Sequence, residues 1–484
     1  MNVSQYNKIL THKGYSIRKS FLSEKQIKMI IDNCNVEPKV DDRYKVKGEI
    51  AFKIYRESPE RYYLPREWAI TKFGDPEANI LSEGLDLSDE HSKFIGSPYD
   101  YQKDIINTYL ESKRNGLICV PCGKGKTFMA LNIASQLKKR FLIVVDKEFL
   151  MNQWKNEISS VMPNLKVGIL QAEKRQTDKE KYDCTICMIQ TLCIQSFPDN
   201  FFQEYGFTIF DECHHLGAQH FCKALFKIQT NKLLGLSATP TRVDGLTKVF
   251  EMFLGKPLYW EKVREPDPTV IVKGVNITCQ DPDYLRVPYD YKKDIIIARL
   301  ITYIVECKER NEEIARWIKL LAEDPNRKIL VLSARIAHLN EIEKLLPKTI
   351  STSYYIGGMK EEVRESGAIE AKVLLASYSM ASEAMNIKSL NSVILASPRT
   401  NVEQSTGRIL RTRVSERVIQ PMIIDIIDPH DPLMNQWRSR KNYYKKCEYS
   451  IETVQQGKND GIKEKESAKK EIKGDDNGCL FTDD

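Results

Sequence analysis

The run VPCGKGKT, from Val120 to Thr127, sets two glycines, a lysine and a hydroxyl residue between the apolar segment GLIC and the helical pattern FMALNIAS. Those residue types at that spacing suit phosphate. Glycine lets the backbone curl its amides toward an anion, and a helix that opens at the same point offers the positive end of its dipole. Gly123 and Gly125 supply the curl, and Pro121, Cys122 and Lys124 complete the loop. Lys126 is suited to meet the β and γ phosphates of ATP, and Thr127 to hold Mg²⁺. Val120 stands where the general form of such a loop has its first glycine.

A second chemical signal is FTIFDECHH, an apolar run that delivers Asp211 and Glu212 at its C-terminal end. In an open α/β sheet that edge is where ligands bind. Adjacent acids can divide the labour, Asp211 positioning Mg²⁺ and Glu212 orienting or deprotonating an attacking water. Cys213, His214 and His215 lack the spacing of a zinc ligand set. The third signal is EQSTGRILR, in which Arg408 and Arg411 fall one helical turn apart and are expected to share a face directed at a γ-phosphate held elsewhere. Arginine fits that task because its planar, always-charged fork spreads over phosphoryl oxygens.

The elements that must position these groups follow from periodicity. Between about Gly96 and residue 265, strand-length apolar runs (GLIC, RFLIVVD, CTICMIQ, FTIFD, KLLGLSA) alternate with helical patterns, which predicts βαβ units around a parallel sheet. A stretch with prolines 266, 268, 282 and 288 follows and is assigned to neither lobe. A second alternation, KILVLSA, AKVLLAS, NSVILAS and MIIDIID, predicts a second α/β lobe over 290–452. Residues 1–95 read as a small accessory domain, and 454–484, rich in Lys, Glu, Asp and Gly, as a tail without a core. The class is α/β with two parallel-sheet lobes.

A chain of 484 residues suits two or three domains. Its net charge of +7, from 73 basic against 66 acidic residues, is only a mild pointer to a polyanion. No apolar run approaches the roughly 20 residues that span a bilayer, and MNVSQYNKILTHKGYSIRKS lacks the apolar core of a secretion signal. A soluble, intracellular protein is expected, and its twelve cysteines are read as reduced thiols.

PCGKGKT, DECHH, GLSATPTR and QSTGRILR occur in one order over about Ser97 to Glu448, and in this the chain resembles the superfamily 2 helicases. The PCGKGKT form, QWKNE from Gln153 and SATPTRVDGLTKVF are similar to the XPB/UvsW group, which includes helicases of large DNA viruses such as the poxvirus transcript-release type, and the N-terminal region with PREWAITKFG resembles that viral branch. The resemblance implies two RecA-like lobes, ATP and Mg²⁺, and a nucleic-acid partner. It implies that Gln102 reads adenine, with Tyr99 and Tyr101 as stacking neighbours. Ser237, Ala238 and Thr239 would couple hydrolysis to strand movement, with His214 linking Glu212 to them and Gln404 opening the arginine motif. Lys147, Gln190 and Thr191 in the first lobe, and Ser333, Arg335 and Ser377 in the second, would contact phosphate and sugar. EAMNI, Glu383 to Ile387, departs from the family's Glu-Gly-Leu-Asp-Ile, leaving Asn386 as an uncharged partner for a ribose hydroxyl.

The reading is an ATP-dependent DNA helicase or translocase acting in transcription or repair alongside proteins of those processes. If it is viral, the host cytoplasm and the virion are its places of action. DNA is favoured over RNA because no RRM, KH domain or zinc knuckle is recognisable. An RNA helicase is the alternative, and a non-hydrolytic scaffold the second alternative.

Overall fold

The computed structural model describes all residues except 1–2, 39–50, 122, 218, 229, 239, 243, 262–264, 384, 386, 388, 411, 413 and 459–484. Cys122, Thr239, Asn386 and Arg411 therefore lie outside the described residues, as does most of the expected tail.

The first parallel sheet is built from runs that are apolar throughout. Phe141–Val145, Cys184–Met188 and Phe207–Phe210 are buried along their whole length, as strands covered on both faces must be. Their order across the sheet is Lys174–Arg175, Val167–Gln171, Cys184–Met188, Phe141–Val145, Phe207–Phe210, Lys232–Ser237, Gly116–Cys119 and Pro257–Trp260. Only the edge pair Val167–Gln171 with Lys174–Arg175 is antiparallel. Successive side chains point to opposite faces. Leu117 and Cys119 enter one core, whereas Ile118 and Val120 join the other with the helices Lys126–Leu137 and Glu148–Val161.

The second sheet has seven strands, all parallel, in the order Thr352–Tyr355, Val373–Ser377, Ile329–Ser333, Ser392–Leu395, Met422–Ile427, Ile271–Asn276 and Ser450–Gln455. Two expected boundaries move. Ile271–Asn276, inside the proline-bearing stretch assigned to neither lobe, is an internal strand of this sheet, so the second lobe begins well before residue 290. The prolines flank the strand and leave its amides free to pair. At the other end the strand Ser450–Gln455 carries the lobe past 452, with Val454 in its core.

The N-terminal region forms a five-stranded sheet, ordered Arg56–Glu57, Arg61–Leu64, Gly14–Arg18, Lys8–Thr11 and Ala78–Asn79. Ser23 and Gln26 close a capping box on the helix Glu24–Cys34. Among the described residues this sheet shares its core with the first lobe. Leu10, Tyr15, Ile17, Ala69 and Ile70 belong to the cluster that also holds Leu117, Leu142, Val249 and Phe253 of the first lobe.

Candidate nucleotide and nucleic-acid site

Three neighbouring strands of the first sheet carry the chemical motifs. Ser237 and Cys119 are paired across Lys232–Ser237 and Gly116–Cys119, and Phe210 pairs with Gly235 on one side and Val144 on the other. The segments that follow these strands therefore emerge side by side at one edge of the sheet. That edge is where the fold leaves a crevice for ligands.

Gly123 (φ 89°) and Gly125 (φ 79°) both take left-handed conformations, and Gly125 opens the helix Lys126–Leu137. At this φ a side chain on residue 125 would be strained, and its Cβ would fall 2.5 Å from Gln102 Nε2 and displace that side chain from the loop. Gln102 is tied to the loop itself. Its Nε2 donates to Lys124 O (3.1 Å), as does the Tyr101 hydroxyl (3.2 Å), while its Oε1 accepts from Tyr99 N (3.0 Å). Tyr99 and Tyr101 stack with ring centroids 6.0 Å apart. The Lys124 side chain turns away to Glu265 (2.5 Å) and Glu261 (3.4 Å), leaving only its backbone for a phosphate. Pro121 is buried, and Thr127 lies half-buried in the first turn of the helix.

Asp211 and Glu212 sit beside Lys126, whose charge acts on both. Asp211 Oδ2 accepts from Trp154 Nε1 (2.8 Å) and Oδ1 from Glu212 N (3.0 Å). Burial, reinforced by the Glu212 charge, pushes the Asp211 carboxyl up to about 6. Burial also works against ionised Glu212, but Lys126 and His214 outweigh it and hold Glu212 down to about 2. Glu212 itself has φ 42°, an uncommon conformation for a residue with a side chain. Its Oε2 is shut off from solvent without a hydrogen bond, 3.3 Å from His214 Nδ1. His214 Nδ1 meets Ser237 Oγ at 3.0 Å, so a continuous polar path runs from the acid to the end of the next strand, where Ala238 follows. Arg242 holds that path in place by donating to His214 O (2.5 Å) and pairing with Asp244. Sequence reading missed Trp154 and Arg242. A buried indole needs a partner for its N–H, and that need was the available signal.

The strand-end residues fall into two groups, one in each lobe. Met188 pairs with Val145, so Lys147 and Gln190 follow neighbouring strands, and Gln190 Nε2 donates to Asp146 O (2.8 Å). Thr191 Oγ1 accepts from Ala172 N (2.9 Å), which ties the next strand to the same loop. In the second lobe Ser333 and Ser377 are themselves register partners. Ser333 Oγ bonds to His338 Nδ1 (2.9 Å) and accepts from Arg335 N (3.1 Å), and Ser377 Oγ lies 3.2 Å from Ser379 Oγ.

The arginine segment is helical in two parts. Glu403–Thr406 is a short α-helix that tightens into a 3₁₀ turn at Gly407–Leu410. Gln404 is half-buried in the first part. Arg408 is buried in the second and donates from Nη1 to Met385 O (2.7 Å). Arg411 lies outside the described residues, so Arg408 alone does not test the expected alignment of the two arginines.

Comparison with known proteins agrees with this geometry. The family model described as the type III restriction enzyme res subunit matches residues 95–242, and the helicase conserved C-terminal domain matches 312–413. A protein of Acanthamoeba polyphaga mimivirus, named an ATP-dependent RNA helicase, is 33% identical over 457 residues, covering 92% of this chain and 86% of its own. The chain belongs to the superfamily 2 helicases of the large-DNA-virus type. An African swine fever virus protein, also named an ATP-dependent RNA helicase, is 28% identical to this helicase over 359 residues, or 68% of each chain. Yeast Dbp5, solved bound to RNA and ADP BeF3, shares the two-lobed RecA-like fold of the helicase at TM-score 0.52 and 12% identity, over 75% of this chain and 90% of its own. The helicase is thus an ATP-dependent enzyme acting on nucleic acid. Among the described residues no helix is long and apolar enough to cross a membrane.

Proposed function

We propose that the helicase hydrolyses ATP at the edge of its first sheet and uses the cycle to move along, or open, DNA, in viral transcription or repair within the infected cell. The observation that carries this reading is the convergence of Lys126, Asp211 and Glu212 with the His214–Ser237 path. Lys126 and the amides of the glycine loop bind the phosphates. Glu212, a carboxylate at neutral pH, accepts a hydrogen bond from the attacking water. His214 passes the state of Glu212 to Ser237 and the segment after it, which turns hydrolysis into movement. Gln102, already fixed on the loop, orients the base, and Asn386 the ribose.

Hydroxyl and carboxylate oxygens suit a hard cation, so Thr127 and Asp211 would hold Mg²⁺. When bound, it neutralises charge on the phosphoryl oxygens. Arg411 is assigned to the γ-phosphate by its place in the motif, whereas Arg408 acts there only after exchanging the Met385 carbonyl for a phosphate oxygen. Lys147, Gln190, Thr191, Ser333, Arg335 and Ser377 grip phosphate and sugar, which holds a strand without reading its sequence. The alternative substrate is RNA, the nucleic acid in the names of both viral relatives.

The test is ATP hydrolysis without nucleic acid and with single-stranded DNA, duplex DNA and RNA, with Lys126→Ala as control. Stimulation by DNA that vanishes in the variant is the expected result. Stimulation by RNA alone would transfer the helicase to the RNA reading, and hydrolysis unaffected by any strand would defeat both.

A further inference from the structure

In the second lobe, between the strand Ile271–Asn276 and the helix Ile297–Glu306, a tight loop lies outside every motif discussed above. Asp290 closes it. Its N–H donates to Asp294 O (2.8 Å), its carbonyl accepts from Lys293 N (3.1 Å), and its Oδ1 accepts from Lys292 N (2.8 Å) and Asp294 N (2.9 Å). A bridge between Tyr289 and Ile295 joins the two arms. These bonds hold Lys293 at φ 65°. They also lift Tyr291 into solvent with 88% of its surface exposed, and Tyr289 with 57%. Lys292 Nζ stands 5.5 Å from the Tyr291 ring centroid.

A cavity of about 620 Å³ lies against this loop, lined by Tyr291, Lys292, Ile296 and Ile301, and by Arg335. A single exposed aromatic calls for no explanation. Here an exposed ring on a rigid turn shares an open cavity with two cations, one of which follows the strand end that carries Ser333. Asp290 and Asp294 also line the cavity and balance the two cations in charge, while Asp290 Oδ1 is turned to two backbone amides of the loop itself. A π-face flanked by cations is what an unpaired nucleotide requires. The ring stacks on the base, whichever base it is, and the cations meet the phosphates on either side. Duplex nucleic acid offers no free base face.

We propose that this cavity takes an unpaired nucleobase of the bound strand, stacked on Tyr291, with Lys292 and Arg335 on the flanking phosphates. The proposal rests on the nucleic-acid reading above and names the strand form the second lobe holds. It also gives the loop a task in strand opening, because a base captured there is withheld from its complement.

The test compares full-length parent, Tyr291→Ala and Tyr291→Phe for binding of labelled oligothymidylate, oligouridylate and a blunt DNA duplex, together with the strand concentration that half-maximally stimulates ATP hydrolysis. Tyr291→Ala should bind the single strands about tenfold more weakly, the loss of one stacked base. It should shift half-maximal stimulation by the same factor and leave duplex affinity unchanged, while Tyr291→Phe behaves as the parent. Single-strand affinity unchanged by Tyr291→Ala, or an equal loss on duplex, would overturn the proposal, and the former would leave the patch to a protein partner. Parent hydrolysis that responds to no strand would sink the nucleic-acid reading itself, and this inference with it.

Discussion

Asp211 and Glu212 are chain neighbours with opposite electrostatic circumstances, and the difference comes from single contacts. Asp211 is buried against a like charge, and the indole N–H of Trp154 is the side-chain donor that restrains its rise. Replacing that donor with a ring that has none should raise Asp211 further and leave one oxygen unsatisfied. Trp154→Phe is therefore expected to lower kcat for ATP hydrolysis about tenfold, to raise the Mg²⁺ concentration needed for half-maximal rate, and to cost about 1–3 kcal/mol of stability. Hydrolysis titrated with Mg²⁺, alongside urea unfolding, checks all three. A variant that loses stability but keeps the Mg²⁺ dependence of the parent would make Trp154 a packing residue only. The glycine loop and the paired acids are legible in sequence because each is a local pattern with few other uses. The Trp154 contact spans 57 positions, and a buried tryptophan on an amphipathic helix reads as core until its N–H is followed.

Among the elements, the second sheet is held by two buried ion pairs on one strand and the residue after it. Asp425, fully buried on Met422–Ile427, takes a two-pronged contact from Arg440 (Nε to Oδ2 2.8 Å, Nη2 to Oδ1 2.8 Å) and a hydroxyl from Tyr444 (2.8 Å). The same Arg440 donates to Arg399 O (2.6 Å), which anchors the chain leading into the arginine segment. Asp428 likewise holds Arg310 and Tyr284. Asp425→Ala leaves a buried guanidinium unpaired and should destabilise this lobe by about 3–5 kcal/mol, read as a shifted urea midpoint. A pH effect belongs to the same scale. His338, on Ile336–Lys344, bonds to Ser333 Oγ and to Asn311 Oδ1 (2.8 Å), and Asn311 Nδ2 is already committed to Val305 O (2.8 Å), so the ring is neutral with its proton on Nε2. Burial, helped by the Arg310 charge, depresses His338 from 6.5 to about 3. A folded value below the unfolded one means that stability is complete above pH 6.5 and is lost as pH falls from there toward 3. The slope is at most about 1.4 kcal/mol per pH unit. Urea midpoints at neutral and mildly acidic pH should show it, and His338→Gln should lose that part of the slope. Strand-length apolar runs made both parallel sheets legible. Ile271–Asn276 was hidden because flanking prolines break the apolar pattern, though they disrupt pairing only where they themselves would sit in the ladder. The 3₁₀ turn at Gly407–Leu410 was hidden because spacing alone cannot distinguish it from an α-helix.

For the whole molecule, the decisive feature is that the N-terminal region and the first lobe share one core. Arg66 donates to Thr230 O (3.0 Å) and Asn231 O (2.9 Å). Glu67 accepts from Asn115 Nδ2 (3.0 Å), whose Oδ1 in turn accepts from Leu233 N (2.9 Å) on the strand beside the one that leads into the glycine loop. The helix Arg66–Phe73 packs on Thr247–Leu254, and together they cover the face of the sheet that carries Leu117 and Leu142. Composition alone suggested a separable accessory domain, since the apolar residues it needs lie far along the chain and no local pattern links them. A separable domain could be removed with the motor lobes melting as before. A shared core predicts otherwise: a chain beginning at Ser82 leaves Val249, Phe250 and Phe253 facing water, and Glu67 and Arg66 no longer close the network at Asn115 and Thr230. Each kilocalorie lost lowers the melting temperature of a lobe of this size by about 2–4 °C. Loss of several buried side chains should therefore lower the melting temperature of the truncated protein by about 10 °C or more, or make it aggregate. Thermal unfolding of the truncated and full chains with saturating ATP analogue measures this. An unchanged transition would restore the separable domain, whereas a lowered one makes the N-terminal sheet part of the structure that carries Asp211 and Glu212, so that whatever it binds acts directly on the ATP site.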